Sequence, residues 1–347
     1  MECVVSAMRI LLSGYHNPHY ETVTEYMERA VESLGHEIVP FHDRCHLIPG
    51  RLRRHLGTLH RLDLEWINLR LKTLALNSGA QVVLVTGGNR ILGKTVRRLR
   101  DLGLITVLWT TDPPIDFEPV LRAAHSYGHV FCQGTEAVEI FHGNGVAKAR
   151  WLPVGCDPER HVPVALTESE RKEYGSDVVF VGSHYPERET LFEALAGFDL
   201  AIWGPGWKSL RSGSPLRKCL RGEHTSPHEW GKIYSASRIV LATHYQDPQR
   251  RFPVHQASPR VFEVMACGGF LICDRQRDIF SLFCDGEHLV GLDNGADLAK
   301  KVRYYLDHPL ERQTIARKGH EEVMRRHTYV HRIEALLAAL TGPDESR

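Results

Sequence analysis

Short runs of apolar, largely β-branched residues alternate along the chain with longer stretches whose apolar positions recur every three or four residues. That alternation predicts strands joined by crossover helices, and hence parallel sheets. It falls into two blocks. In the first, strands are predicted at 8–13, 37–41, 81–86, 104–110, 128–132 and 149–153, with helices near 20–34, 51–77, 91–102, 117–125 and 135–143. The stretch 51–77 carries Leu at many helical spacings and reads as one bent helix or two. Residues 155–175 hold Pro158, Pro163 and several charges without apolar periodicity, which predicts a linker. In the second block, strands are predicted at 177–182, 199–203, 238–242, 270–273 and 288–291, with helices near 187–196, 227–236, 259–267, 296–306, 309–326 and 329–340. The expected fold class is α/β, with two Rossmann-like domains facing a cleft: 1–155, a linker at 156–175, and 176–328. A terminal segment, 329–347, is placed to cross back to the first domain. Ligands of such sheets sit at the carboxyl ends of the strands.

Composition narrows the function classes. The 347 residues are 42% hydrophobic and 24% charged, as in a globular protein, and 43 Lys+Arg against 42 Asp+Glu leave a net charge of +1. No global field therefore recruits nucleic acid or an anionic membrane, and the 21 His are scattered. No apolar run reaches the ~18 residues of a membrane span, and MECVVSAMRILLSG lacks the parts of a secretory signal, so Met1 to Ala7 read as a ragged extension. The eight Cys form no C-x-x-C pair, and several lie in apolar runs, which suits reduced thiols in a cytoplasmic protein. His42 and His46 are four apart, but no helix and no third ligand accompany them, so no metal site is expected. Two groups of basic residues stand on predicted helices, Arg51-Leu52-Arg53-Arg54-His55 with Arg61, and Arg97-Arg98 with Arg100. Each is either a solvated face or a patch for anionic lipid or a phosphorylated acceptor, so peripheral membrane contact stays open.

The most informative stretch is Ser258 to Cys273, SPRVFEVMACGGFLIC. Pro259, one residue into a helix with Ser258 before it as cap, marks the helix start. The unpaired amides of that first turn make a phosphate site, and Arg260 can fork onto the same anion. Glu263, one turn on, could accept two hydrogen bonds from a ribose diol. The plainer alternative is a cap followed by a solvated Arg260–Glu263 pair, and these residues alone leave both readings open.

Together with Asp285-Gly286-Glu287 and the helical run DLAKKVRYYLDHPLERQTIARKGHEEVMRRHTYVHRIEALL, this stretch resembles the carboxy-terminal domain of group 1-like glycosyltransferases of the GT-B fold, in the branch of spore-maturation type. Asp177 to Ser183 with Arg188 resembles that branch's opening strand and glycine turn, Ile202 to Trp207 its second strand end, and HEWGKIYSASRIVLA a later helix and strand. The resemblance covers 177–340 well and 8–155 loosely. It implies transfer of a sugar from a nucleotide-sugar donor without a metal or other cofactor, and, through group 1, retention at the anomeric carbon. It makes Gly182, Ser183, Arg188, Gly204, Ser258, Arg260 and Glu263 the expected donor-binding residues. The group 1 pattern has two Glu separated by seven residues. The second matches Glu263, while the first falls on His255, which stands as a candidate contact to the donor sugar or as a surface residue.

The first block offers an acceptor side. Gly14 and His16 follow the first strand, and His16 is either a cleft residue or an ordinary loop residue. Thr111-Asp112-Pro113 ends another strand where group 1 enzymes commonly carry a His. Asp112 is expected nearest the reacting centre, polarising the acceptor hydroxyl, with a turn cap before Pro113 as the alternative. A rival signal is Gly88-Asn89-Arg90-Ile91-Leu92-Gly93-Lys94-Thr95, which fits G-x-x-x-x-G-K-[ST] and would make the protein a Mg-ATP kinase or ATPase. Arg90, Ile91 and Leu92 are bulky for such a loop. A nucleotide-sugar epimerase and a non-catalytic nucleotide-sugar-binding protein are the remaining rivals. The acceptor, whether glycan, lipid, protein or small molecule, is not legible.

Overall fold

The computed structural model describes residues 7–112, 114, 117–223, 225–246 and 252–341, with the side chain of Arg54 excepted. The expected extension at Met1–Ala7 thus lies, except for Ala7, outside the described residues, as do Cys3, Pro113 and 342–347. The chain forms two compact units. Unit 1 runs to Pro153 and takes back the chain from Tyr329; unit 2 is Val154–Thr328.

Unit 1 consists of β1 (Arg9–Gly14), α1 (Val23–Ser33), β2 (Glu37–His42), α2 (Gly50–His55), α3 (Gly57–Asn77), β3 (Val82–Thr86), α4 (Gly93–Asp101), β4 (Ile105–Thr110), α5 (Glu118–Ala124), β5 (His129–Cys132), α6 (Thr135–Gly143) and β6 (Ala149–Trp151). Unit 2 consists of α7 (Glu168–Tyr174), β7 (Val178–Val181), α8 (Pro186–Glu193), β8 (Leu200–Trp203), β9 (Leu220–Gly222), α9 (Pro227–Ala236), β10 (Ile239–Ala242), α10 (Pro259–Ala266), β11 (Leu271–Asp274), α11 (Arg277–Leu282), β12 (Val290–Leu292), α12 (Gly295–Asp307) and α13 (Pro309–Arg326). The last helix, α14 (Tyr329–Thr341), belongs to unit 1.

Both six-stranded sheets are parallel, in the orders β2-β1-β3-β4-β5-β6 and β12-β11-β10-β7-β8-β9. Helices cover both faces of such sheets, which is why central strands such as VVLVT and VVFV are apolar at nearly every position. The strand carrying Pro40 is β2, at the sheet edge, where a missing ladder amide costs least. Numbered within its own unit, the second sheet has the order 3-2-1-4-5-6 and the first has 2-1-3-4-5-6. Chain direction across the sheet therefore reverses between β7 and β10 in unit 2 and between β1 and β3 in unit 1, and crevices open above such points.

Of the two readings of 51–77, one bent helix or two, the chain forms two helices, broken at Leu56, whose backbone is extended. Other elements differ from the expectation. Residues 156–175, expected as a linker, are built into unit 2: Cys156 makes a parallel bridge to Thr328, Asp157 is buried, and α7 forms. The signal for α7 is Thr167 three residues before Glu170, a reciprocal capping box that a search for apolar periodicity passes over because α7 buries no residue. The short strand β9 and helix α11 are too brief for a period to register.

Candidate functional site

In unit 2 the carboxyl end of β7 turns at Gly182 and the end of β8 at Gly204. These two backbones touch: a Cβ on Gly204 would fall 2.3 Å from the Gly182 carbonyl oxygen, so no side chain fits there. The Gly182 amide donates to Trp203 O (2.8 Å), and Trp207 Nε1 donates to Gly182 O (2.8 Å). The strand end is thus pinned from both sides. A Cβ on Gly182 itself would lie 3.0 Å from the Phe180 ring and 3.1 Å from Arg260 Nη2. The missing side chain is what lets the Arg260 guanidinium lie against the turn.

Arg188, from α8, crosses the reversal point. Its Nε donates to Thr243 Oγ1 (3.0 Å), Nη1 to Ser183 O (2.8 Å), and Nη2 to Thr243 O. It is buried, and its role is to tie the turn after β7 to the end of β10. Burial first, and then the charge of Arg260, bring its pKa down to about 10. Both guanidiniums stack on Phe180, with centroid distances of 4.9 and 5.7 Å. Neither lies within ion-pair distance of a carboxylate among the described residues.

Helix α10 begins beside them. Ser258 occupies the cap position, but its hydroxyl makes no cap hydrogen bond and is buried without a partner, contrary to its expected capping role. The helix start is held by His244 instead: Ser258 N donates to His244 Nε2 (2.9 Å), and His244 Nδ1 meets Asp274 Oδ1 (2.7 Å). Accepting at Nε2 requires the proton on Nδ1, so the imidazole donates to Asp274. Burial alone would raise the Asp274 pKa, but its close contact with His244 and the hydrogen bonds from His244 and Gln276 hold it below the usual carboxylate value. This Asp274–His244 relay was not singled out from sequence; its signal is a polar residue closing one buried strand, β11, and another two residues past the end of a second, β10.

Arg260 Nε is buried without a partner, so a donor as well as a hydroxyl faces the start of α10 unsatisfied. Glu263 is buried, and no ion pair joins it to Arg260; the basic group within range is His161 Nε2, at 3.9 Å. His161 comes from the supposed linker, where its Nδ1 accepts from Asp157 N (2.9 Å) in a turn capped by the Asp157 carboxylate. The His255 carbonyl accepts from Asp278 N (3.0 Å), which anchors that segment to α11.

In unit 1, Gly14 closes β1 where a Cβ would strike Thr24 at 2.6 Å and Thr86 at 2.8 Å. His16 Nε2 bonds Glu28 Oε1 of α1 (2.8 Å), and its backbone amide donates to His42 Nδ1 (3.1 Å). The Glu28 hydrogen bond raises the His16 pKa against an opposing burial effect. His16 is therefore committed to α1. Asp112 sits against Gly87, whose Cβ would lie 3.7 Å from Asp112 Oδ2. Removal from bulk water raises its pKa, with Arg44 and Arg90 pulling the other way. Asp43, directly after β2, was not expected as a site residue. It is buried, its Oδ1 has no partner, and burial raises its pKa against Arg90, Arg44, His42 and His16. Two carboxylates and two arginines thus share the strand ends of unit 1.

The Gly88–Thr95 segment is not a phosphate cradle. Its Leu92 amide donates to Asn68 Oδ1 (2.8 Å), and Asn68 Nδ2 donates back to Arg90 O (2.9 Å). The amides of Ile91 and Thr95 are used inside the segment and that of Gly88 by Thr86 O, Ile91 is in the core, and Lys94 Nζ pairs with Glu65 (2.5 Å). What the loop delivers is the Arg90 charge, felt by both Asp43 and Asp112. Among the described residues no group of three His, Cys, Asp or Glu could hold a metal ion.

Across almost the whole chain this architecture coincides with solved structures. Sucrose-phosphate synthase from Thermosynechococcus elongatus superposes with a TM-score of 0.72 at 13% identity, over 96% of this chain and 99% of that one. The fold is GT-B. Anabaena Alr3699/HepE, solved in complex with UDP and glucose, gives 0.65 at 13% identity over 96% and 99%. A glycosyltransferase from Rickettsia africae ESF-5 gives 0.66 at 12% over 98% and 100%. Residues 183–338 match the family described as "Glycosyl transferase-like", a stretch that takes in most of unit 2, with Arg260 and Glu263, and runs into α14. No curated protein sequence matches the chain.

Proposed function

We propose that this protein is a glycosyltransferase that takes its sugar from a nucleotide-sugar donor held at the reversal point of unit 2. The observation that carries this reading is a pair of arginines, Arg188 and Arg260, stacked on one phenylalanine without a carboxylate, beside a helix start whose hydroxyl and guanidinium donors are unsatisfied. Two adjacent cations left unneutralised are costly unless an anion completes them. A diphosphate does so, with Arg260 as its contact and Arg188 holding the turn that faces it. Negative charge on the leaving diphosphate grows as the glycosidic bond breaks, so fixed donors there stabilise the transition state more than the bound donor. In this reading Glu263 accepts the ribose hydroxyls, His255 faces the donor sugar, and no metal is required because the guanidiniums and helix dipole supply the positive charge. Asp112 polarises the acceptor hydroxyl, with Arg44 and Arg90 setting its charge state, and transfer proceeds with retention. The HepE structure holds UDP and glucose, which makes UDP-glucose the first donor to try.

The deciding experiment is calorimetric titration with UDP, GDP, dTDP, CMP, ADP and ATP, each with Mg²⁺ and with EDTA, on the wild type, Glu263→Gln and Glu263→Ala. One diphosphate should bind equally in EDTA, and both variants should lose about 10–100-fold in affinity, the worth of one or two hydrogen bonds to a charged group. Unchanged affinity in the variants, or binding of Mg-ATP alone, overturns the donor site. Release of free sugar or transfer in the presence of candidate acceptors separates the enzyme from a non-catalytic binder.

A further inference from the structure

Helix α3 turns two apolar faces outward from its axis. One, with Ile67, Leu71 and Ala75, is buried in the unit 1 core. The other, Leu62, Leu69 and Leu76, repeats every seven residues and remains 61%, 55% and 46% exposed. A seven-residue repeat drifts by only about 20° per step, so the three form one stripe. Leu52 of α2, Leu56 between α2 and α3, and Leu47 before them add further exposed leucines to the same stretch of chain. Single exposed leucines need no explanation, but a periodic set does.

The surroundings of the stripe are strongly basic. Between residues 50 and 102 the sequence has eleven Lys and Arg against three Asp and Glu, in a chain whose totals nearly cancel. Of those three acids, Asp63 is buried and spends itself on His46 and the amides of Leu47 and Ile48, and Glu65 is paired with Lys94. Leu69 shares a groove of about 230 Å³ with Lys72, Lys94 and Arg98 of α3 and α4. The adjoining concavity, about 590 Å³, carries Arg61, Arg97 and Arg122 around Leu64 and Ile91. Leucine and cations thus meet on this surface at Leu69 and Leu64, where Lys and Arg can lay their aliphatic stems along apolar area, and of these Arg122 is paired with Glu118.

We propose that the α2–α3–α4 face of unit 1 docks on an anionic lipid bilayer, with the leucine stripe entering the headgroup region and the surrounding Lys and Arg meeting acidic headgroups. Charge complementarity selects the occupant's sign, and the leucines select a bilayer over a nucleic acid, whose backbone offers them nothing. No helix among the described residues is long and apolar enough to cross a membrane, so the attachment is peripheral. The proposal is independent of the donor site in unit 2.

Co-sedimentation with vesicles of phosphatidylcholine alone, and of phosphatidylcholine with one quarter phosphatidylglycerol, tests it. The full chain should sediment with the second and not the first, and 0.5 M salt should release it. Lys72→Glu with Arg98→Glu should lower partitioning by at least about 25-fold, at roughly five-fold per basic residue near the surface. Leu62→Gln, Leu69→Gln and Leu76→Gln together should weaken it with an unchanged circular-dichroism melt. Leu310→Gln, at a 79% exposed leucine of unit 2, should bind as the wild type does. Failure to sediment with the anionic vesicles overturns the proposal. So does binding that ignores the leucine substitutions and is competed away by heparin, which would make the face a polyanion site instead.

Discussion

Gly182 shows how much one missing side chain decides. Its place between the Phe180 ring and Arg260 Nη2 means that Gly182→Ala must displace the guanidinium or tilt the ring. Nucleotide affinity should fall by about ten-fold while the thermal midpoint moves little, and calorimetry beside a melting curve checks both. At the other end of the chain, His16 and Glu28 give a pH signature. The His16 pKa is raised in the folded state, so the pair's contribution is fully present below the ordinary value of 6.5 and is lost as pH rises through the raised one. The difference in melting temperature between wild type and Glu28→Gln should therefore be largest near pH 5 and shrink toward pH 8. A difference that grows with pH would mean that His16 does not carry the charge. Arg188 illustrates the gap between residue and role: a donor ligand by resemblance, it spends its hydrogen bonds on Ser183 and Thr243, and in the proposed function it serves the donor through the turn it holds.

At the scale of the element, α10 depends on a relay from outside itself. Ser258 marks its start in sequence, yet the amide of Ser258 is satisfied by His244, which Asp274 orients. His244→Ala leaves the Ser258 amide without a partner and takes one hydrogen bond from the half-buried Asp274 carboxylate, which keeps those from Gln276 and from the backbone amide of residue 244; this costs about 1–3 kcal/mol and should appear as a lower urea midpoint with an unchanged slope. Ser258→Ala, by contrast, removes no cap bond and should be nearly neutral to stability while weakening nucleotide binding. α7 behaves conventionally: Thr167→Ala removes its capping box and should cost about 1 kcal/mol. The Gly88–Thr95 segment teaches the same lesson in reverse, because its letters satisfy a phosphate-loop pattern while Asn68 and Glu65 of α3 occupy the groups such a loop must keep open.

At the scale of the whole molecule, the chain returns after unit 2 to complete unit 1. Helix α14 packs on α1, with Tyr329 6.1 Å from Tyr26 and with Ile333, Leu336 and Leu337 buried. Burying each large apolar side chain is worth about 1.5–3 kcal/mol, so ending the chain after Thr328 removes several kcal/mol from unit 1. A melting curve of that truncation should split into two transitions, with the nucleotide-dependent rise confined to the upper one if the donor site belongs to unit 2.

Most of the strands and helices were legible because a parallel sheet covered on both faces demands apolar runs, and helices packed on it demand a 3.6-residue period. Both are local consequences of burial and are written in the order of residues. The short motif around Ser258–Glu263 was legible for the same reason: cap position, Pro259, Arg260 and Glu263 all lie within two helical turns. What the chain's order alone could not settle was which groups are left over once the strands are aligned. Asp43 and Arg90 come from different strand ends, and His161 reaches Glu263 across about a hundred residues from a stretch with no period at all. Burial and partnering are properties of three-dimensional neighbours, so the unsatisfied Nε of Arg260 at the proposed donor site, the spent lysine in the apparent phosphate loop and the second, exposed face of α3 were decided only by the tertiary structure.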